Sequence, residues 1–123
     1  MHARWSWRSL VVGAAIVLAP VVAVGADLEA GKALYGKWCQ SCHGADGKGN
    51  PVMAQALKTK ALNLGAVDLS TLSASEREAR EQGFRTMIAE GKPPMAGFAK
   101  RLSAAEQENA LAYIEATFMK GGQ

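Results

Sequence analysis

The sequence predicts an all-α fold of three or more short helices joined by long loops, and three observations carry that reading. Ser73 with Glu76, and Ser103 with Glu106, have the spacing of a capping box, and each pair stands at the head of an apolar stripe of helical period. A third stripe, Leu28, Gly31, Tyr35 and Trp38, follows Asp27, whose carboxylate suits the free N–H groups of a first turn. No segment between them holds the period of two that a strand needs; Leu62, Leu64, Val67 and Leu69 alternate only loosely.

The first 26 of the 123 residues are unlike the rest. Arg4 and Arg8 make a positive start, Leu10 to Val24 carries no charge, and Val24-Gly25-Ala26 places small residues where a leader is cut. The expectation is a secretory signal peptide over 1–26, cleaved after Ala26, with one domain over 27–123. An uncleaved anchor is the alternative, although the apolar run is close to the shortest that spans a bilayer and Pro20 interrupts it. Arg4 and Arg8 are not adjacent, so a twin-arginine signal is not supported. Export puts the chain in the periplasm or otherwise outside the cytoplasm, with no integral span once the leader is gone.

Cleavage also alters the charge. Losing Arg4 and Arg8 reduces 14 Lys and Arg to 12, against 11 Asp and Glu, so the nominal basicity is mostly the leader's. No nucleic-acid partner follows from so even a balance. The remaining chain can bury only a small core, which a cofactor in its middle would enlarge.

The first helix, from Asp27 to Trp38, has Glu29 complementing its first turn and Gly31 in its interior. Glycine there costs about 1 kcal/mol relative to alanine. Close approach of another helix would account for it, and a tolerated glycine in a marginal helix would serve equally well. The helix runs straight into Cys39-Gln40-Ser41-Cys42-His43. Gly44 to Pro51 is rich in Gly, Asp and Asn and marks a loop, Val52 to Lys58 a brief helical turn, and Lys60 to Leu72 an extended loop over apolar surface. Ser73 opens a second clear helix with Phe84, Met87 and Ile88 on one face, ended by Gly91. Pro93 and Pro94 forbid helix and predict extended chain that fixes Met95. Ser103 opens the last helix, with Leu102 in the staple position and Leu111, Ile114 and Phe118 on one face.

Two thiols separated by two residues, with histidine directly after the second, is the pattern of c-type haem attachment. Both sulfurs of Cys39 and Cys42 then sit on one turn, where they can add to the two vinyl groups of a porphyrin, while the His43 imidazole reaches the iron. A disulfide between them would close a very short ring and stabilise little. A thioredoxin-like pair needs a preceding strand, and none is visible. A four-ligand zinc site lacks a ligand, since the one other histidine, His2, lies in the leader.

The second axial ligand must then come from elsewhere. Met53, Met87, Met95 and Met119 survive cleavage. Met87 belongs to an apolar helical stripe and reads as core, as methionine usually does. Met95 stands in a rigid non-helical segment that no packing period explains, and it is the candidate. Thioether sulfur opposite imidazole favours the ferrous state and raises the potential.

With these residues in place the chain resembles a small single-haem class I cytochrome c. Gly31 with Tyr35, then Cys39-Gln40-Ser41-Cys42-His43-Gly44, then Pro94-Met95-Ala96-Gly97-Phe98, then Leu111-Ala112-Tyr113-Ile114 carry the likeness over most of residues 27–123. It implies that fold, with helices and loops wrapped around one covalently bound haem c, and a close crossing of the first and last helices at Gly31. It also implies a backbone carbonyl that orients the proximal histidine, with Pro51 as candidate. Many members place proline after the methionine, whereas here Pro94 precedes Met95 and Ala96 follows it.

A haem with both axial positions filled by protein exchanges single electrons through its edge, and the resemblance implies the same: an electron carrier, not an enzyme. The chain has no phosphate loop and no nucleophile set. Its partners are a redox donor and acceptor, with docking to a membrane oxidase or dehydrogenase among them. Lys37, Lys48, Lys92 and Lys100 flank the expected haem edge and could steer an acidic partner. The alternatives are a ligand-binding or weakly peroxidatic protein with an open or labile distal site, a haem subunit of a larger complex, and a dithiol protein without haem.

Overall fold

The structure, a computed structural model, describes residues 15–17 and 25–122. The leader expected over 1–26 lies outside the described residues apart from 15–17 and 25–26. Among the described residues, no helix is long and apolar enough to cross a membrane.

The helices are α1 (Leu28–Trp38), α2 (Gln40–His43), α3 (Pro51–Leu57), α4 (Ala74–Glu90) and α5 (Ala104–Phe118), with a two-stranded hairpin, β1 (Gly91–Lys92) and β2 (Met95–Ala96), between the last two. Apart from α2, which continues from the end of α1, their starts follow from side-chain caps. Asp27 accepts from the Ala30 N–H, Asn50 from Val52 and Met53, and both capping boxes form, Ser73 with Glu76 and Ser103 with Glu106. Each cap satisfies N–H groups that a first turn otherwise leaves to water.

The most extensive packing is that of α1 against α5. It is close enough that a Cβ on Gly31 would overlap the Asn109 carbonyl and lie 2.8 Å from the Tyr113 Cβ. Of the two readings of Gly31, the crossing is the one the fold uses. Behind it Tyr35, Leu69, Ile114 and Met119 are buried as one cluster, and the Tyr35 ring meets Phe118 and Tyr113 with centroids 4.9 and 5.6 Å apart.

Two segments are more ordered than the sequence implies. In the 60–72 stretch Asn63 caps a single 3-10 turn, Leu64–Ala66, and the chain then pairs with the C-terminal tail: Leu69 N–H donates to the Lys120 carbonyl at 2.7 Å, and Lys120 N–H to that of Val67 at 3.1 Å. The partner that orders this loop is some fifty residues away in sequence, beyond the reach of any local pattern. The proline segment is not simply extended. Pro93-Pro94 form the bend of the hairpin, in which Lys92 pairs with Met95 and Gly91 with Ala96. The reversal depends on glycine: Gly91 has φ of 76°, and a Cβ on Gly97 would lie 2.5 Å from the Glu90 backbone. Chain leaving the hairpin then caps α4, as Phe98 and Ala99 N–H groups donate to the Ile88 and Ala89 carbonyls.

Candidate functional site

Cys39 is at once the last cap of α1 and the residue before α2, so the dithiol motif is a single helical turn set across the end of a longer helix. His43 N–H donates to the Cys39 carbonyl at 3.0 Å, and Gly44, at φ of 79°, stops the turn. The loop that follows folds back over it: Gly49 and Asn50 N–H groups donate to the carbonyls of His43 and Cys42 at 2.8 and 2.9 Å. From below, the buried Tyr35 hydroxyl donates to the Gly44 carbonyl at 2.5 Å. Burial, with the Cys39 and Tyr113 groups adding to it, pushes the Tyr35 phenol up to about 12, so it remains a donor.

The two cysteines are not joined as a disulfide. Burial, and next the neighbouring Cys42, push the Cys39 thiol up to about 11. Among the described residues no cluster of three or more His, Cys, Asp and Glu side chains gathers to hold an ion.

His43 is held by its ring. Its Nδ1 lies 2.8 Å from the Leu62 carbonyl oxygen. A carbonyl can only accept, so Nδ1 carries the proton and the Nε2 lone pair is left free for a metal. The carbonyl suggested by the sequence was that of Pro51, but Pro51 instead opens α3 at a position suited to proline. Nothing local marks Leu62 for this role, because any residue supplies a carbonyl.

Cys39, His43 and Met95 line one cavity of about 240 Å³. Its walls come from α1, the 60–72 segment, α4, the loop after the hairpin and α5, through Leu34, Leu64, Phe84, Phe98, Leu111 and Ile114. Cys42, half-buried on α2, is not among the lining residues, and neither is Met53. Two further methionines are. Met119 belongs to the buried core, whereas Met87, expected to be core, is 40% exposed. Its stripe on α4 faces the cavity rather than a neighbouring helix, which a helical period cannot distinguish from burial.

Residues 26–114 match the family described as "Cytochrome C oxidase, cbb3-type, subunit III". The chain belongs to that family. It is a small class I c-type cytochrome, and such cytochromes carry covalently bound haem c with its iron. Among solved structures, a protein described as "KustC0563 c-type cytochrome" superposes with a TM-score of 0.53 at 24% identity, covering 73% of this cytochrome and 98% of that chain, which supports the fold. No curated protein matches the cytochrome. The residues present fit a haem: an apolar cavity, one imidazole oriented by its far nitrogen, a cysteine at the rim and a thioether on a separate segment.

Proposed function

We propose that this cytochrome is a one-electron carrier, exported with a leader over 1–26 that is then cut away to leave the domain over 27–123. Cys39 and Cys42 would hold the haem through thioether links, and His43 Nε2 and Met95 would hold its iron. Bound haem c supplies reversible one-electron exchange between its ferric and ferrous states. The protein's part is to bind, orient and keep water out. Leu62 fixes the His43 tautomer and increases the imidazole's electron donation. The apolar walls lower the local dielectric, which disfavours the more charged ferric form. With His43 and Met95 both holding the iron, substrate would have no place at the metal, and the reading is a carrier rather than an enzyme.

The observation that carries this reading is the convergence of His43 and Met95, from segments far apart in sequence, on one apolar cavity. The test is the spectrum of oxidised wild type beside Met95→Ala. The sulfur-to-iron absorption band is expected in the first and absent in the second, which should also bind carbon monoxide. A band that survives in Met95→Ala but is lost in Met87→Leu or Met119→Leu moves the ligand to that residue. Intact mass of the exported protein reads both the leader cut and the number of haems.

A second reading, a haem subunit of a membrane oxidase, is favoured by the family's description. Co-purification with a membrane complex under mild detergent distinguishes it from a free carrier.

A further inference from the structure

We propose that Glu115 is a redox-linked proton site, which takes up a proton when this cytochrome is reduced and gives it back when the cytochrome is oxidised; the proposal rests on the carrier reading above. Glu115 is 9% exposed and is the buried charged side chain among the described residues. Its Oε1 has no hydrogen-bond partner among them. A carboxyl group held in this way is costly as an anion and gains by accepting a proton.

Its place in the fold sets it beside the cavity. Leu111 and Met119 stand four residues before and after it in one row along α5, Ile114 directly precedes it, and all three line the cavity. From α4 the charges that act on it are Arg77, Glu81 and Arg85, and from α5 itself Glu108. Both arginines are committed elsewhere. Arg77 donates to Glu81 at 2.8 Å and to the Gly121 carbonyl at 2.5 Å, while Arg85 donates to Glu108 at 2.7 Å and stands 3.9 Å from Glu81. The C-terminal tail packs on the Glu115 backbone at Gly122, and its Lys120 is paired with Asp68 at 3.6 Å. Helix α1 meets α5 at Asn109 and Tyr113, and Tyr113, two residues before Glu115, points away from it.

Two guanidinium groups thus face three carboxyl groups. With Glu115 protonated this cluster is balanced, and with Glu115 ionised it carries one negative charge in excess. Ferric haem carries one more positive charge than ferrous haem, and through an apolar wall that charge favours the Glu115 anion. Reduction therefore strengthens proton binding here. The step balances: one electron from the donor reaches the iron as one proton from water joins the Glu115 carboxylate, and oxidation by the acceptor reverses both. Burial first, then the charge of Glu81 and that of Glu108, opposed by Arg77 and Arg85, already raises the carboxyl above its ordinary 4.5. The exchange accordingly falls on the neutral side of an ordinary carboxyl group.

The test uses the haem-loaded protein as wild type, Glu115→Gln and Glu108→Gln. In redox titrations from mildly acidic to neutral pH, the wild-type potential should fall as pH rises, with proton affinity at this site on the order of tenfold higher in the ferrous state than in the ferric. Glu115→Gln should match wild type at the acid end, lie higher toward neutrality and lose that slope. Glu108→Gln removes a like charge and frees Arg85, so the sloping interval should move to lower pH. The infrared difference spectrum, reduced minus oxidised, should show a protonated-carboxyl stretch in wild type that is absent in Glu115→Gln. An equal slope in wild type and Glu115→Gln, a carboxyl stretch that survives that substitution, or an interval that Glu108→Gln leaves in place overturns the proposal. Failure of the carrier reading looks different: no reversible one-electron titration is then obtained at any pH, in wild type or variant.

Discussion

His43 Nδ1 donates to the Leu62 carbonyl at 2.8 Å, and this bond joins the haem-attachment turn to a segment nineteen residues further along. Gly49 sets the spacing between them. Its φ is +96°, and a Cβ there would sit 3.0 Å from the Leu62 Cβ, tighter than most real contacts. Gly49→Ala should push Leu62 away, lengthen the hydrogen bond and reduce electron donation by the imidazole. The midpoint potential is then expected to rise on the order of tens of millivolts, matching the loss of up to about 1 kcal/mol of hydrogen bonding. Redox titration checks it; an unchanged potential in a variant that retains its haem would mean that Leu62 does not tune the iron.

Gly31 sets the α1–α5 crossing. A side chain there would overlap the Asn109 carbonyl, which is backbone and cannot rotate aside, so the helices must separate. Gly31→Ala should destabilise the haem-loaded protein by about 3 kcal/mol despite alanine's better helix propensity, at the upper end of overpacking costs. Urea titration followed at the haem absorbance measures it. Gly83 on α4 is the control: a Cβ there meets nothing within 4 Å, so Gly83→Ala should be neutral or stabilising.

These positions also mark where the sequence was legible and where it was not. The helices, their caps and the dithiol turn are written in side chains that act on residues three or four away, so Asp27, Ser73 and Ser103 announced their helices and the structure has them there. The Gly31 crossing was legible only as one of two readings, because a glycine shows room for a neighbour without naming it. The Leu62 carbonyl and the pairing of Asp68 with Lys120 were not legible, since backbone groups are common to all residues. What the Met87 stripe packs against was not legible for a related reason: a stripe against a cofactor cavity has the same period as a stripe against protein.

Tyr35 links that crossing to the motif through its hydroxyl, which donates to the Gly44 carbonyl. Tyr35→Phe keeps the ring packing on Phe118 and leaves a half-buried carbonyl without its donor, a loss of about 1 to 2 kcal/mol. The phenol also makes stability pH-dependent. Its folded value is about 12 against an ordinary 10.0, so between them the native state keeps a proton that the unfolded chain gives up, and stability falls as pH rises through that interval. Tyr35→Phe should lose this alkaline slope. Denaturant titrations across the range decide it; an identical slope in the variant would exclude Tyr35 as its source.

Glu115 is a buried carboxylate on α5, and among the described residues its Oε1 has no hydrogen-bond partner. The nearby arginines of α4 are engaged elsewhere: Arg77 holds Glu81 at 2.8 Å and the Gly121 carbonyl at 2.5 Å, and Arg85 holds Glu108 at 2.7 Å. Burial, reinforced by the charges of Glu81 and Glu108 and opposed by Arg77 and Arg85, raises the Glu115 carboxyl above its ordinary 4.5. In the interval above that value the native state holds a proton that the unfolded state releases, so stability falls as pH rises through it, and above the folded value the whole penalty of an unpaired buried charge remains. Glu115→Gln removes the charge and nearly keeps the shape. It should stabilise the protein at neutral pH by on the order of 1 kcal/mol and flatten the acid side of its stability profile. Urea midpoints of the two proteins, taken from mildly acidic to neutral pH, should converge toward acid and separate toward neutrality; parallel curves would exclude Glu115 as the titrating group.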